Sequence, residues 1–411
     1  MTNLLSISIG AWCILATLSS SLLAQGEWIL IGRDLREQRV ELTQLQEGIV
    51  TFIDETGRLL EQPAGELLAI IHERPPKSRP PREMPWITRQ LEMFGQQPPQ
   101  KTEPGEPFIG TLELTDGQRW IGTLAGVHGE SLAWLLEDSI VLGVPLEHIR
   151  SAAIRGPIDS AHTSWLGIDD RVLLRNGDIL DGFIAKIGQQ VRIETPSGET
   201  TLPLDRITGL LLANPSTVLR GLNLRTDNGS IIAAHAIGIT VTGQVSAEMG
   251  RGNTTTTMAM RTTDLRSILL APQALGSLAV IQPLTVVGPP NGQPRLPIIR
   301  PDDSLGFNSI ELHGPVRVMW ALPRSAARFA TTATLPPAMW AWGDCEIIVS
   351  TGDGREALRE RLNADRPTVE INVPLGGLTT LTIEIESGRS GPVQDRILLT
   401  RPMLAWQTTA P

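Results

Sequence analysis

Trp340 and Trp342 stand two apart in the segment Pro336-Pro337-Ala-Met-Trp-Ala-Trp-Gly343, with Asp344 directly after it and Arg324 and Arg328 upstream. Indole rings stack on apolar C–H faces, while a carboxylate and guanidiniums exchange hydrogen bonds with hydroxyl groups. These residue types together suit a hydroxylated ring, the chemistry of a sugar. If the segment is extended, both rings face the same way. The alternative is that one or both tryptophans cap an apolar core, since Trp is usually well buried. His313 falls on the outward parity of an alternating strand, or at its edge, where it either joins such a site or makes a structural hydrogen bond.

Other chemistry finds little support. The histidines (His72, His128, His148, His162, His235 and His313) are too far apart in sequence for a local metal motif, and no metal or other cofactor is expected. There is no nucleophile elbow, P-loop or dinucleotide fingerprint. Asp169-Asp170 and Asp302-Asp303 are adjacent pairs, and neighbours on a strand point to opposite faces. Cys345 opens an apolar strand and reads as a core residue. The expectation is a protein without catalytic residues.

The elements that must position these side chains are strands. The chain has 411 residues, 41% hydrophobic and 19% charged, which is a globular balance. With 35 Lys and Arg against 44 Asp and Glu the net charge is −9, and no basic block is present, so nucleic acid is not an expected partner. The 39 Gly and 31 Pro, many at turn-like positions, favour β-structure with many loops.

At the N-terminus, Leu4 to Ala24 carries no charge and ends in small residues before Gln25. Residues 1–24 read as a signal peptide cut after Ala24; the alternative is an uncleaved membrane anchor. Either way the remainder is expected to be exported to the periplasm, cell surface or medium. Cleavage would leave Cys345 alone, so no intramolecular disulfide is expected.

The next feature is internal repetition. Leu112-Glu-Leu-Thr-Asp-Gly117 followed by Gly122 matches Val172-Leu-Leu-Arg-Asn-Gly177 followed by Gly182. Farther on, Val144-Pro-Leu-Glu-His-Ile149 matches Leu202-Pro-Leu-Asp-Arg-Ile207. These define repeats over 108–155 and 168–213, with divergent copies over 25–71 and 220–271. Asp116-Gly117, Asn176-Gly177 and Asn228-Gly229 are tight-hairpin dipeptides. Each unit is expected to be a small antiparallel meander or SH3-like barrel that stacks on its neighbours. Residues 72–107 are rich in proline and read as a linker. Within it Ile87, Leu91 and Phe94 fit one short amphipathic helix, for docking or for a partner.

From about Ala274 the repeats stop. Alternation in Ile310–Leu322, Cys345–Ser350, Thr368–Val373 and Leu378–Ile385 predicts an antiparallel β-sandwich over 274–411, with Trp320 in its core.

Several of these segments resemble the NPCBM family, modules found in secreted bacterial proteins and glycoside hydrolases. Ser309-Ile-Glu-Leu-His313, Val318-Met-Trp-Ala-Leu322 with Arg328-Phe329, and Glu346-Ile-Ile-Val-Ser-Thr-Gly-Asp-Gly354 are similar to its strands and hairpin. Leu378–Ile385 with Gly388 and Asp395 resembles its last strands, so the likeness spans residues 275–407. It departs from the family where Ala330–Pro337 replaces a glycine-rich segment, and no aromatic follows Asp395. The resemblance implies a galactose-binding-like jelly roll that binds carbohydrate. The candidate site is then Trp340, Trp342, Asp344, Arg324 and His313. The competing expectation is a structural or adhesive envelope protein whose repeats and sandwich contact other proteins.

Overall fold

The computed structural model describes residues 27–73, 108–128, 130–136, 140–156, 158, 168–217, 219, 221–251, 254–289, 292–301, 305–389 and 391–407. The leader segment, the amphipathic stretch Ile87–Phe94, Trp165 and Asn253 lie outside them. Among the described residues every regular element is a strand or a short 3₁₀ turn, so the chain is all-β. Twenty-one strands join in one antiparallel sheet system and nine in a second.

The first system consists of four segments with one connectivity. The first holds β1 (Trp28–Gly32), β2 (Glu37–Gln46), β3 (Ile49–Asp54), β4 (Leu59–Pro63) and β5 (Leu67–His72). The second holds β6 (Gly110–Leu114), β7 (Arg119–His128), β8 (Ser131–Leu136), β9 (Ile140–Pro145) and β10 (Ile149–Ala153). The third holds β11 (Asp170–Leu174), β12 (Ile179–Ile187), β13 (Gln190–Thr195), β14 (Gly198–Pro203) and β15 (Ile207–Leu211). In the fourth, β16 (Leu222–Thr226) is followed by β17 (Ile231–Ala234) and β18 (Ala236–Ile239), then β19 (Gln244–Arg251), β20 (Thr254–Arg261) and β21 (Leu265–Leu269). Up to the 3₁₀ turn before the last strand, neighbouring strands pair, except that β17 and β18 pair with β16 and β19 rather than with each other; the last strand then returns to pair with the first: β5 with β1, β10 with β6, β15 with β11, β21 with β16.

Two sequence features explain this shape. Gly117, Gly177 and Gly229 take φ of +85°, +89° and +97° in the first hairpin of their units, as that turn requires. Gly122 and Gly182 lie where a Cβ would strike the carbonyl oxygens of Leu135 and Glu194, so the curl needs a bare backbone there. Asn228 acts in its turn, its Oδ1 accepting from the Ser230 amide at 2.9 Å.

The last strands also join units in pairs. β10 runs antiparallel to β15 with Ala152 opposite Leu210, and β21 runs antiparallel to β5 with Ile268 opposite Ile70. Both joints are centred on the same strand position, so unit two pairs with unit three and unit one with unit four about local two-fold axes. The sequence repeats give the units; this nested pairing is additional. Trp28, Trp120 and Trp134 are buried in the shared core.

The C-terminal strands are β22 (Leu275–Ser277), β23 (Pro283–Val287), β24 (Ile298–Arg300), β25 (Ser309–His313), β26 (Val316–Thr334), β27 (Cys345–Thr351), β28 (Glu356–Leu362), β29 (Thr368–Ser387) and β30 (Arg396–Trp406). The two longest, β26 and β29, pair with each other along both halves, with a register break between Ala321 and Ala326. Opposite a second break, between Ala326 and Arg328, Gly376 and Gly377 have φ of +61° and +84°, which lets the paired strands turn a corner. Trp320, Phe329, Val349, Ile383 and Leu399 fill the enclosed core, with Cys345 beside them.

A third apolar cluster joins the two systems: Ile29, Ile31, Leu35, Leu68 and Ile71 pack on Leu275, Phe307, Met403 and Ala405. β1 and β5 are buried on both faces for this reason, Trp28 and Leu30 facing their own unit and Ile29 and Ile31 the sandwich. Arg401 closes the edge with a bidentate pair to Glu37 (3.0 and 2.6 Å), and the Asn372 amide donates to the Asp34 carbonyl at 3.0 Å.

Candidate functional site

Alternation along β25 sends Ile310 and Leu312 into the sandwich core and puts Ser309, Glu311 and His313 on the other face. On that face Glu311 is only 3% exposed. A buried carboxylate needs partners. Arg300 Nε donates to its Oε2 at 2.8 Å, Arg396 Nε lies 3.2 Å from Oε1, and His313 Nε2 lies 2.8 Å from Oε1. Burial opposes ionisation of Glu311, but the bonds from Arg300 and His313 outweigh it and hold the carboxyl below its usual range.

The chain of contacts continues outward. His313 Nδ1 lies 3.3 Å from Arg295 Nη1. A neutral imidazole protonated on Nε2 satisfies both neighbours, donating to Glu311 and accepting from Arg295. The buried carboxylate thus orients the ring, and the ring orients an exposed guanidinium.

Arg295, His313 and Arg396 line one cavity of about 560 Å³ together with Gln293, Met339, Gln394 and Asp395. Asp395 is 3% exposed, and burial raises its pKa, with the neighbouring Asp344 charge adding to the effect. Its Oδ1 lies 3.4 Å from the Asp344 amide. Gln394, on the cavity wall, has φ of +61°, a left-handed conformation costly for a side-chain-bearing residue. A buried carboxyl group and local backbone strain meet at one concave surface.

The sequence candidates divide around this cavity. His313 lines it. Trp340 and Trp342 are 42% and 64% exposed. Their segment is a 3₁₀ turn, Pro337–Met339, rather than an extended loop, and Trp340 continues it with φ −63° and ψ −26°. Prolines at its start and the bonds from the Trp342 and Gly343 amides to the Met339 carbonyl make the turn. Trp340 Nε1 donates to the Leu335 carbonyl at 2.9 Å, which anchors that indole. The turn meets the cavity through Met339; neither indole is in its lining.

Two candidates do not face a ligand. Asp344 is buried and spends both oxygens on Arg361, each at 2.6 Å, with the Arg389 amide donating to Oδ2 at 2.8 Å. The Arg361 bonds hold its pKa below the usual carboxylate range against the effect of burial. Arg324 lies at the corner of the sandwich, its guanidinium 4.7 Å from the Trp406 ring centre and donating to the Gln273 carbonyl at 2.8 Å. Arg328 is occupied too, donating to Asn372 Oδ1 at 2.6 Å. The cavity instead is lined by Arg295, Arg396 and Gln394, with Glu311 behind its wall. The one sequence signal for them was Glu311, two residues from His313 on the same strand face.

No cluster of three or more His, Cys, Asp or Glu able to hold a metal ion occurs among the described residues.

No protein-family model matches the chain, and no curated protein matches it. Solved structures do. The chain is distantly similar to CBM51 carbohydrate-binding modules. A CBM51 module from a Clostridium perfringens GH95 protein, in complex with methyl-galactose, is 14% identical over 32% of this chain and 99% of its own, with a TM-score of 0.26. Tandem CBM51 modules of the family 98 glycoside hydrolase Sp3GH98 from Streptococcus pneumoniae are 7% identical over 62% of this chain and 95% of theirs, with a TM-score of 0.28. The CBM51-2 and INT domains of Clostridium perfringens ZmpB are 11% identical over 41% of this chain, with a TM-score of 0.27, and the match spans 37% of that structure.

Proposed function

We propose that the protein is an exported, non-catalytic carbohydrate-binding protein whose sugar site is the cavity beside β25. The observation that carries this reading is the convergence on one concave surface of Arg295, His313, Gln293, Gln394 and Asp395. Sugars are recognised by planar donors and acceptors of this kind, several at once, around a ring. Trp340 and Trp342, exposed on the turn that reaches the cavity through Met339, supply stacking surface at its rim. In the same reading the four units are small SH3-like barrels that carry the site, on the strength of their closing first-to-last strand pairs, and the sandwich is a jelly roll.

Glycan-array binding of the purified protein tests the reading, with His313→Ala and Trp342→Ala variants alongside. Binding to a defined set of glycans that falls at least tenfold in His313→Ala and in Trp342→Ala, the latter with an unchanged melting temperature, is the expected result. Absence of binding to any glycan, or binding indifferent to both substitutions, rejects it.

A further inference from the structure

We propose that the sugar taken by this cavity carries a carboxylate, an inference that rests on the carbohydrate reading above. Two guanidiniums, of Arg295 and Arg396, and one carboxyl group, of Asp395, line the cavity, and Arg396 is paired with Glu311 behind it. Glu311 is saturated. Its two oxygens already receive Arg300, Arg396 and His313, and it lies behind the wall rather than on it.

Arg295 is different. It is exposed, its contact is the His313 imidazole, and no carboxylate partners it among the described residues. The hydrogen bond to Nδ1 uses one of five guanidinium N–H donors and leaves the rest of the fork open to the cavity mouth. A fixed fork with unused parallel donors matches a carboxylate in a bidentate pair, a stronger contact than a hydroxyl can provide.

Asp395 settles the other side of the ligand. It stands on the cavity wall, and a carboxyl group there disfavours a second carboxylate beside it. A hydroxyl is accepted. The complementary ligand therefore offers hydroxyls toward Asp395 and an acid toward Arg295, on one ring. Uronic acid residues and sialic acid both meet that description.

Isothermal titration of the purified protein distinguishes these possibilities. The probes are galacturonate oligosaccharides, sialyl-lactose, and the neutral counterparts galactose oligosaccharides and lactose. At least one acidic probe is expected to bind tenfold or more tighter than its neutral partner, with affinity falling as salt rises. Arg295→Gln is expected to abolish that preference. Which acidic probe binds identifies the source of the carboxylate. Equal binding of acidic and neutral probes, or a preference that survives Arg295→Gln, overturns the inference and leaves the carbohydrate reading standing. Absence of binding by all probes, with glycan arrays also blank, overturns both.

Discussion

Replacing Leu35 by alanine and, separately, by glycine probes the joint between the first unit and the sandwich. In units two to four the equivalent position of the first hairpin is Gly117, Gly177 and Gly229, each bonded through its amide to the residue three before it, as Leu35 is to Gly32. Leu35 adopts the same left-handed backbone, with φ of +59°, yet its side chain is 2% exposed in the cluster shared with the sandwich. Truncating a buried Leu to Ala costs about 2–5 kcal/mol. The left-handed conformation itself costs a side-chain-bearing residue about 1–2 kcal/mol, which Leu35→Ala retains and Leu35→Gly relieves. Glycine gives back about 0.4–1 kcal/mol through the greater freedom of the unfolded chain. The glycine variant is therefore expected to be about 0.5–1 kcal/mol more stable than the alanine variant, the reverse of the usual order in a strand or helix. Both are expected below the parent. Calorimetry reads the order of the transitions, and amide exchange in β5 reports whether the loss is at the joint. Glycine falling below alanine, or either variant matching the parent, would refute the argument.

Three other outcomes are expected. Asp344→Asn should destabilise the sandwich by about 1.5–3 kcal/mol, the worth of charged hydrogen bonds. Because its folded pKa lies below the unfolded one, the Asp344–Arg361 contribution is present above the ordinary carboxylate pKa and is lost as pH falls through the lower folded value; a melting temperature independent of pH from 5 down to 2 in the parent would contradict it. Burial pushes the Cys345 thiol up to about 12, with Asp395 and Asp344 adding to the shift, so iodoacetamide at pH 8 should leave it unmodified until denaturant is added. Trp342→Ala should shift stability by no more than about 0.5 kcal/mol, whereas Trp320→Ala should cost about 3–5 kcal/mol, a contrast readable in thermal melts.

Much of the architecture was legible because it is written in short-range chemistry. Asp116-Gly117 and Asn176-Gly177 force hairpins wherever they occur, and alternation from Ile310 to Leu322 assigns Trp320 to a core without any knowledge of the partner strand. The joints were less so, because they depend on surfaces far apart in sequence. Trp28-Ile-Leu-Ile31 and Leu67-Leu-Ala-Ile-Ile71 are continuous apolar runs, and that departure from alternation was the mark of two-sided burial. Parity placed His313 on the outer face of its strand, where it lines the cavity, whereas Asp344 is buried against Arg361. A carboxylate next to an aromatic segment looks the same whether it meets a ligand or, as here, an Arg361 seventeen residues away across β27 and β28. Arg295 and Asp395 share a cavity only because β25 and β30 pair, a contact between distant parts of the chain.

The nested pairing of the units has a mechanical consequence. Force applied between Trp28 and the sandwich need not travel along the chain, because β5 lies on β21, and Glu37 is clasped by Arg401. The load passes across these contacts, and units two and three stand outside its path. Other lateral ties act beside that ladder: β18 pairs with β2 at Ile239 and Leu45, and β17 pairs with β7 at Ile231 and Arg119, where the Ala233 amide donates to Gln118 Oε1 at 2.8 Å. A pull of this kind therefore meets several contacts in parallel before units two and three bear any of it.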